Sequence, residues 1–123
     1  MSASRRVLVI DDDPQILQAV SLRVRALGHT VVTARDGEDG LTQVTKTIPD
    51  LIVTDIRMPR MDGLEFIRRL RHHTDGQSTP VIVISASAVD KASALAEGAS
   101  YFLPKPYDPQ MLSDAINRIV TSQ

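Results

Sequence analysis

The chain has 123 residues, 42% hydrophobic and 24% charged, the balance of one globular domain that can bury a core without disulfides or a structural metal and the wrong balance for a disordered chain. Lys and Arg total 14 against 15 Asp and Glu, a formal net charge of -1, which leaves no electrostatic footprint for nucleic acid or an anionic membrane. Cysteine is absent, which removes disulfide frameworks, thiolate metal sites and cysteine nucleophiles and is compatible with a reducing cytosol.

Met1 to Arg6 leads directly into a strand without the apolar stretch of a signal peptide, and no run approaches membrane-spanning length. The expectation is a cytoplasmic domain in contact with neither membrane nor nucleic acid. Val7 to Ile10 is an unbroken apolar run, as in a strand buried on both faces, and it stops at Asp11, Asp12, Asp13 and Pro14. Asp13 is a helix N-cap and Pro14 suits the first turn; Ile16, Leu17, Val20, Val24 and Leu27 then recur at helical spacing until Gly28. Thr30 to Ala34 reads as the second strand. Asp36 and Gly37 open a weaker helix with Leu41, Val44 and Ile48, stopped by Pro49. Leu51 to Thr54 is the third strand, and it delivers Asp55 to its C-terminal end.

Pro59, Asp62 and Gly63 break the pattern into a loop, and Gly63 begins a helix with Leu64, Ile67 and Leu70 on one face. Asp75 to Pro80 is a turn-rich connector. Val81 to Ile84 is the fourth strand, ending on Ser85. An Ala-rich helix around Lys91 to Glu97 stops at Gly98, and a fifth strand, Tyr101 to Leu103, meets Pro104, Lys105 and Pro106. Asp108 and Pro109 cap a last helix with Met111, Leu112, Ala115, Ile116 and Ile119 along one stripe.

Five strands alternating with five helices predict right-handed crossovers and an α/β fold, a parallel sheet covered on both faces. In such sheets a ligand site lies beyond the carboxyl ends of the strands. That rule gathers Asp11, Asp12, Asp55, Ser85 and Lys105. An aspartate ending a strand commonly caps the loop that follows, but three carboxylates in one crevice repel each other and call for a compensating proton or cation. With no cysteine and no His at a strand end, the ligands on offer are hard oxygens, which suit Mg²⁺ and leave positions open for phosphate oxygens. Asp55 is then free to act as a nucleophile, with Lys105 and Ser85 placed to meet phosphoryl oxygens.

Asp11 and Asp12 after the first strand, Asp55 through Gly63 after the third, Ser85 and Ala86 after the fourth, Gly98 and Ala99 before the fifth, and Lys105 and Pro106 after it together resemble the receiver domain of two-component response regulators. The resemblance spans the whole chain as a single receiver domain, residues 1–123. It implies a flavodoxin-like fold with strand order 2-1-3-4-5. It also implies that Asp55 accepts a phosphoryl group from a phosphohistidine of a histidine kinase or phosphotransfer protein. Asp12 would then ligate Mg²⁺ directly, Asp11 mainly through water, and Asp55 and the backbone carbonyl of Arg57 would complete the set. Ser85 would bond the phosphoryl group, Lys105 would pair with it, a cis Lys105–Pro106 bond fixing how the lysine points, and Phe102 would be the aromatic switch. The reporting surface would be the face of the fourth helix, fifth strand and fifth helix, read by a downstream protein or a linked output domain, as a monomer or a phosphorylation-dependent dimer.

The chain departs from that pattern in two places. The stretch from Ser85 to Lys105 is about two residues shorter than in common receivers, by motif spacing, and Pro104 stands immediately before the lysine, which an edge strand tolerates. The alternatives are a small Mg²⁺-dependent aspartyl phosphatase, opposed by Arg57 where a second acid would be needed, and a receiver-like interaction module that no longer uses phosphate. A free-standing regulator and a receiver excised from a longer protein fit equally. His29, His72 and His73 lack partner ligands and read as solvated; Arg68, Arg69 and Arg71 read as a solvated basic face; Met58 and Met61 read as loop packing.

Overall fold

A computed structural model of the chain describes residues 4–73 and 76–122; Met1 to Ala3 of the lead-in and Asp75 of the connector lie outside the described residues. The elements alternate without exception: β1 (Arg6–Ile10), α1 (Pro14–Ala26), β2 (Thr30–Ala34), α2 (Gly37–Lys46), β3 (Leu51–Asp55), α3 (Gly63–His72), β4 (Val81–Ser85), α4 (Val89–Glu97), β5 (Tyr101–Pro104) and α5 (Pro109–Thr121). All strand pairs are parallel, in the order β2-β1-β3-β4-β5. Chain order reverses between β1 and β3, and this switch point opens the crevice beyond the strand ends.

Because side chains alternate along a strand, each apolar run feeds two cores. Leu8, Ile10, Ile52, Val81 and Val83 join Val44 of α2, Phe66, Ile67 and Leu70 of α3 and Ala94 of α4. Val7, Val9, Val53, Ile82 and Leu103 join Val20 and Val24 of α1 and Leu112, Ala115 and Ile116 of α5. The result is three layers, with α2, α3 and α4 on one face and α1 and α5 on the other. Both faces of β1, β3 and β4 are buried, whereas β2 at the edge is largely exposed.

Local signals set the helix starts. Asp13 accepts the Gln15 backbone N–H at 2.9 Å, Asp36 the Asp39 N–H at 2.8 Å, Asp62 the Glu65 N–H at 2.9 Å and Asp108 the Gln110 N–H at 2.9 Å. The fourth helix lacks such a cap: Ala88 stands at its N-cap with no side-chain hydrogen bond, and the helix starts at Val89, before the expected Lys91.

Several expectations need correction. Ile48 is not on α2, which ends at Lys46; the side chain lies 47% exposed in the loop. Met111 falls outside the buried stripe of α5 at 43% exposed. His29 is not solvated: it is buried, its Nδ1 accepts the Arg5 backbone N–H at 3.0 Å, and burial, helped by the charge of Arg5, lowers its pKa. Arg71 does not belong to a solvated basic face. Its guanidinium donates to the carbonyls of Gly98 at 2.7 Å, Thr79 at 2.6 Å and Gly76 at 3.2 Å. Met58 and Met61 do pack, within the cluster on the α2–α4 side.

Candidate functional site

The strand ends place four charged side chains together. Asp11, Asp12 and Asp55 each present a carboxylate oxygen, and these oxygens all lie within 4.8 Å of one another. Asp11 is buried and Asp12 exposed; the Asp55 side chain is 11% exposed. Asp11 follows directly on β1 and accepts the Asp13 backbone N–H at 2.9 Å. Asp55 is held from two directions: the Ile56 N–H reaches Oδ1 at 2.7 Å and Lys105 Nζ reaches Oδ2 at 3.0 Å. Lys105 is brought there by β5, with its own N–H on the Ser85 carbonyl at 2.9 Å and a cis peptide bond to Pro106.

One ammonium against three carboxylates leaves the cluster short of positive charge. The strain shows at Asp11, whose pKa is raised from 3.8 to about 6, first by burial and further by the charges of Asp55 and Asp12, against the lowering effects of the Asp13 N–H and Lys105. A cluster of hard oxygen donors with excess negative charge, open to solvent at Asp12, fits a hard divalent cation.

Ser85 and Arg57 are differently engaged. Ser85 ends β4 as expected, but its hydroxyl donates to Asp90 Oδ2 at 2.6 Å. The exposed Arg57 side chain reaches the other oxygen of Asp90 at 3.2 Å. Phe102 is already buried, 9% exposed, in the same apolar cluster as Ala94 and Ala99.

The loop that follows Asp55 is braced by groups absent from the sequence-based site. Arg60 has a left-handed backbone, φ 66°, and its guanidinium grips the buried Asp36 carboxylate through Nε at 3.0 Å and Nη2 at 2.6 Å. Gly63 packs so closely that a Cβ there would collide with the Asp55 carbonyl oxygen and lie 2.9 Å from Ile56 Cα. Asp36 carried a signal, as a helix cap; Asp90 carried only that of an acid in a first helical turn, which names no partner.

The family model described as the response regulator receiver domain matches residues 7–117. A gliding motility regulatory protein of Myxococcus xanthus is 39% identical over 117 residues, 93% of this chain and 15% of that protein. Among solved structures, the chemotaxis response regulator CheY4 of Vibrio cholerae is 32% identical with a TM-score of 0.89, covering 95% of this chain and 99% of that one. The receiver domain of sensor histidine kinase PA1611 from Pseudomonas aeruginosa, determined with a magnesium ion coordinated in the active site cleft, is 26% identical with a TM-score of 0.89 over 97% of this chain and 99% of that one. The chain spans only 15% to 47% of the length of several curated relatives it matches. The match runs from the first strand into the last helix, and the chain therefore belongs to the family of response regulator receiver domains, signalling domains of two-component systems.

Proposed function

We propose that this domain is a phosphorylation-gated switch in which Asp55 takes a phosphoryl group from a phosphohistidine on a histidine kinase or phosphotransfer protein. The observation that carries the reading is the Lys105 ammonium 3.0 Å from Asp55 Oδ2, within a cluster of three carboxylates at the strand ends. A carboxylate oxygen of Asp55 attacks phosphorus, the P–N bond breaks, and its electron pair leaves with the imidazole. Catalysis is mostly positioning and charge compensation. The Ile56 N–H and Lys105 orient the carboxylate, and Lys105 transfers its attraction to the arriving phosphoryl oxygens. Ser85 donates a hydrogen bond to another of those oxygens.

Asp11, Asp12 and Asp55, with the backbone carbonyl of Arg57, would hold Mg²⁺, as the three-carboxylate geometry and the magnesium-bearing relative support. When bound, the ion offsets negative charge on the transferring group. Phosphorylation shifts a population between two states by its differential stabilisation of one. The surface of α4, β5 and α5 reports the change to a downstream protein or a linked output domain, and hydrolysis of the acyl phosphate resets it. The domain is thus a phosphoacceptor rather than an enzyme for outside substrates.

The test uses acetyl phosphate or phosphoramidate as donor. The unaltered chain should acquire a Mg²⁺-dependent, hydroxylamine-labile phosphoryl group, and Asp55→Asn should not. Equal hydroxylamine-labile labelling of Asp55→Asn would remove Asp55 from the role.

A further inference from the structure

The proton that Ser85 would offer to a phosphoryl group is already committed. Its hydroxyl donates to Asp90 Oδ2 at 2.6 Å in a buried contact, while its oxygen accepts the Ser87 backbone N–H at 3.2 Å. A serine hydroxyl has one proton to donate. It serves Asp90 or an oxygen carried on Asp55, not both. Asp90 lies in the first turn of α4, 5% exposed, and its Oδ1 meets the Arg57 guanidinium, whose side chain is 73% exposed. Arg57 comes from the loop directly after Asp55, so Arg57, Asp90 and Ser85 form a chain of contacts from the β3–α3 loop through α4 to β4.

We propose that Asp90 is a latch: it holds the Ser85 hydroxyl in the unphosphorylated protein, and phosphorylation of Asp55 must take that donor away, which releases the first turn of α4. The proposal rests on the phosphoacceptor reading of Asp55. Once Ser85 turns, the buried Asp90 carboxylate keeps only the solvent-exposed Arg57 among its side-chain partners in the described residues. A buried charge left under-partnered is costly, and the least costly remedy is to let water reach it. The surrounding structure permits this. Ala86, Ser87 and Ala88 alone separate β4 from α4, and the helix has no side-chain cap of its own. Phe102 is buried as well, and the Ser85–Asp90 bond is the contact that the new group has to change. Asp90 is a positioning residue, acting on the phosphoryl site through Ser85.

The experiment measures Mg²⁺-dependent binding of beryllofluoride, a phosphoryl mimic, to the whole chain. Asp90→Ala should tighten binding on the order of tenfold, the scale of one hydrogen bond to a charged group. Asp90→Asn, which keeps an oxygen acceptor and the shape but not the charge, should tighten it by less, and it decides the question if the alanine variant fails to fold. In a Ser85→Ala background, Asp90→Ala should change affinity by less than about twofold, because the shared proton is gone. No tightening in either Asp90 variant overturns the latch, and so does equal tightening with and without the Ser85 hydroxyl, the signature of a through-space charge effect. Failure of the unaltered chain to bind beryllofluoride, or unchanged binding by Asp55→Asn, overturns the phosphoacceptor reading and the latch with it. Latch failure alone is recognised by normal, Asp55-dependent binding in the unaltered chain.

Discussion

Asp11 shows how a single buried carboxylate couples stability to the chemistry of its site. Its pKa is raised from 3.8 to about 6, chiefly by burial, so the folded protein disfavours its charged form. For an acid raised on folding, the penalty is complete above the folded value and is relieved as pH falls through about 6 toward the unfolded value. Metal-free protein should therefore gain stability from this group as pH falls from about 6 toward 3.8. The depressed carboxylates Asp36 and Glu65 act in the opposite sense, their contributions being lost only as pH falls below the ordinary carboxylate range. Asp11→Asn should raise stability at neutral pH by roughly 1–3 kcal/mol and flatten the acid-side rise, as read from urea midpoints without divalent ions. A variant that is less stable than the parent at neutral pH would contradict the charge argument.

At the scale of elements, the loop from β3 to α3 is the part that must hold Asp55 steady. Pairing of β3 with β1 and β4 fixes the strand on both sides, but the loop beyond it is fixed by a close backbone approach at Gly63 and by the grip of Arg60 on Asp36. The Gly63 N–H donates to the Ile56 carbonyl at 2.8 Å, which brings the start of α3 against the residue next to Asp55. A methyl group at position 63 has no room, since its neighbours are backbone atoms that cannot rotate aside. Gly63→Ala should cost about 2 kcal/mol or more, by analogy with overpacked cores, and slow labelling by acetyl phosphate. Unchanged thermal midpoint and labelling rate would show that the loop can yield.

For the whole molecule, the cores on the two faces of the sheet supply cohesion, and Arg71 ties pieces distant in sequence. Its guanidinium joins the end of α3, the connector before β4 and the turn between α4 and β5. Burial lowers its pKa, yet the group stays charged because arginine begins so high. Arg71→Met keeps much of the apolar volume and leaves several carbonyls without their donor. The expected loss is about 2–3 kcal/mol in urea unfolding. Replacing Arg68, which bridges Glu65 and Glu97 at the surface, by alanine should cost far less, because water and salt screen an exposed ion pair. Similar losses for the two would remove the distinction between a buried carbonyl hub and a surface ion pair.

Much of this was legible in the residues alone, for reasons of range. Apolar runs of period two and stripes of period 3.6 are properties of neighbours in sequence, so all ten elements fell within a few residues of their observed places. The polar residues ending β1, β3 and β4, and Lys105 after β5, could be assigned to one crevice because parallel crossovers put all strand ends on one side. The resemblance to receiver domains added the strand order, which periodicity does not contain. Tertiary structure alone decided which polar groups spend their hydrogen bonds on each other. Ser85 and Asp90 are five residues apart, and Asp90 lies buried in the first turn of α4; Arg60 and Asp36 are 24 apart, Lys105 and Asp55 50 apart. Such pairings depend on where burial removes water, and burial is set by the packing of the whole sheet and its helices rather than by any local stretch.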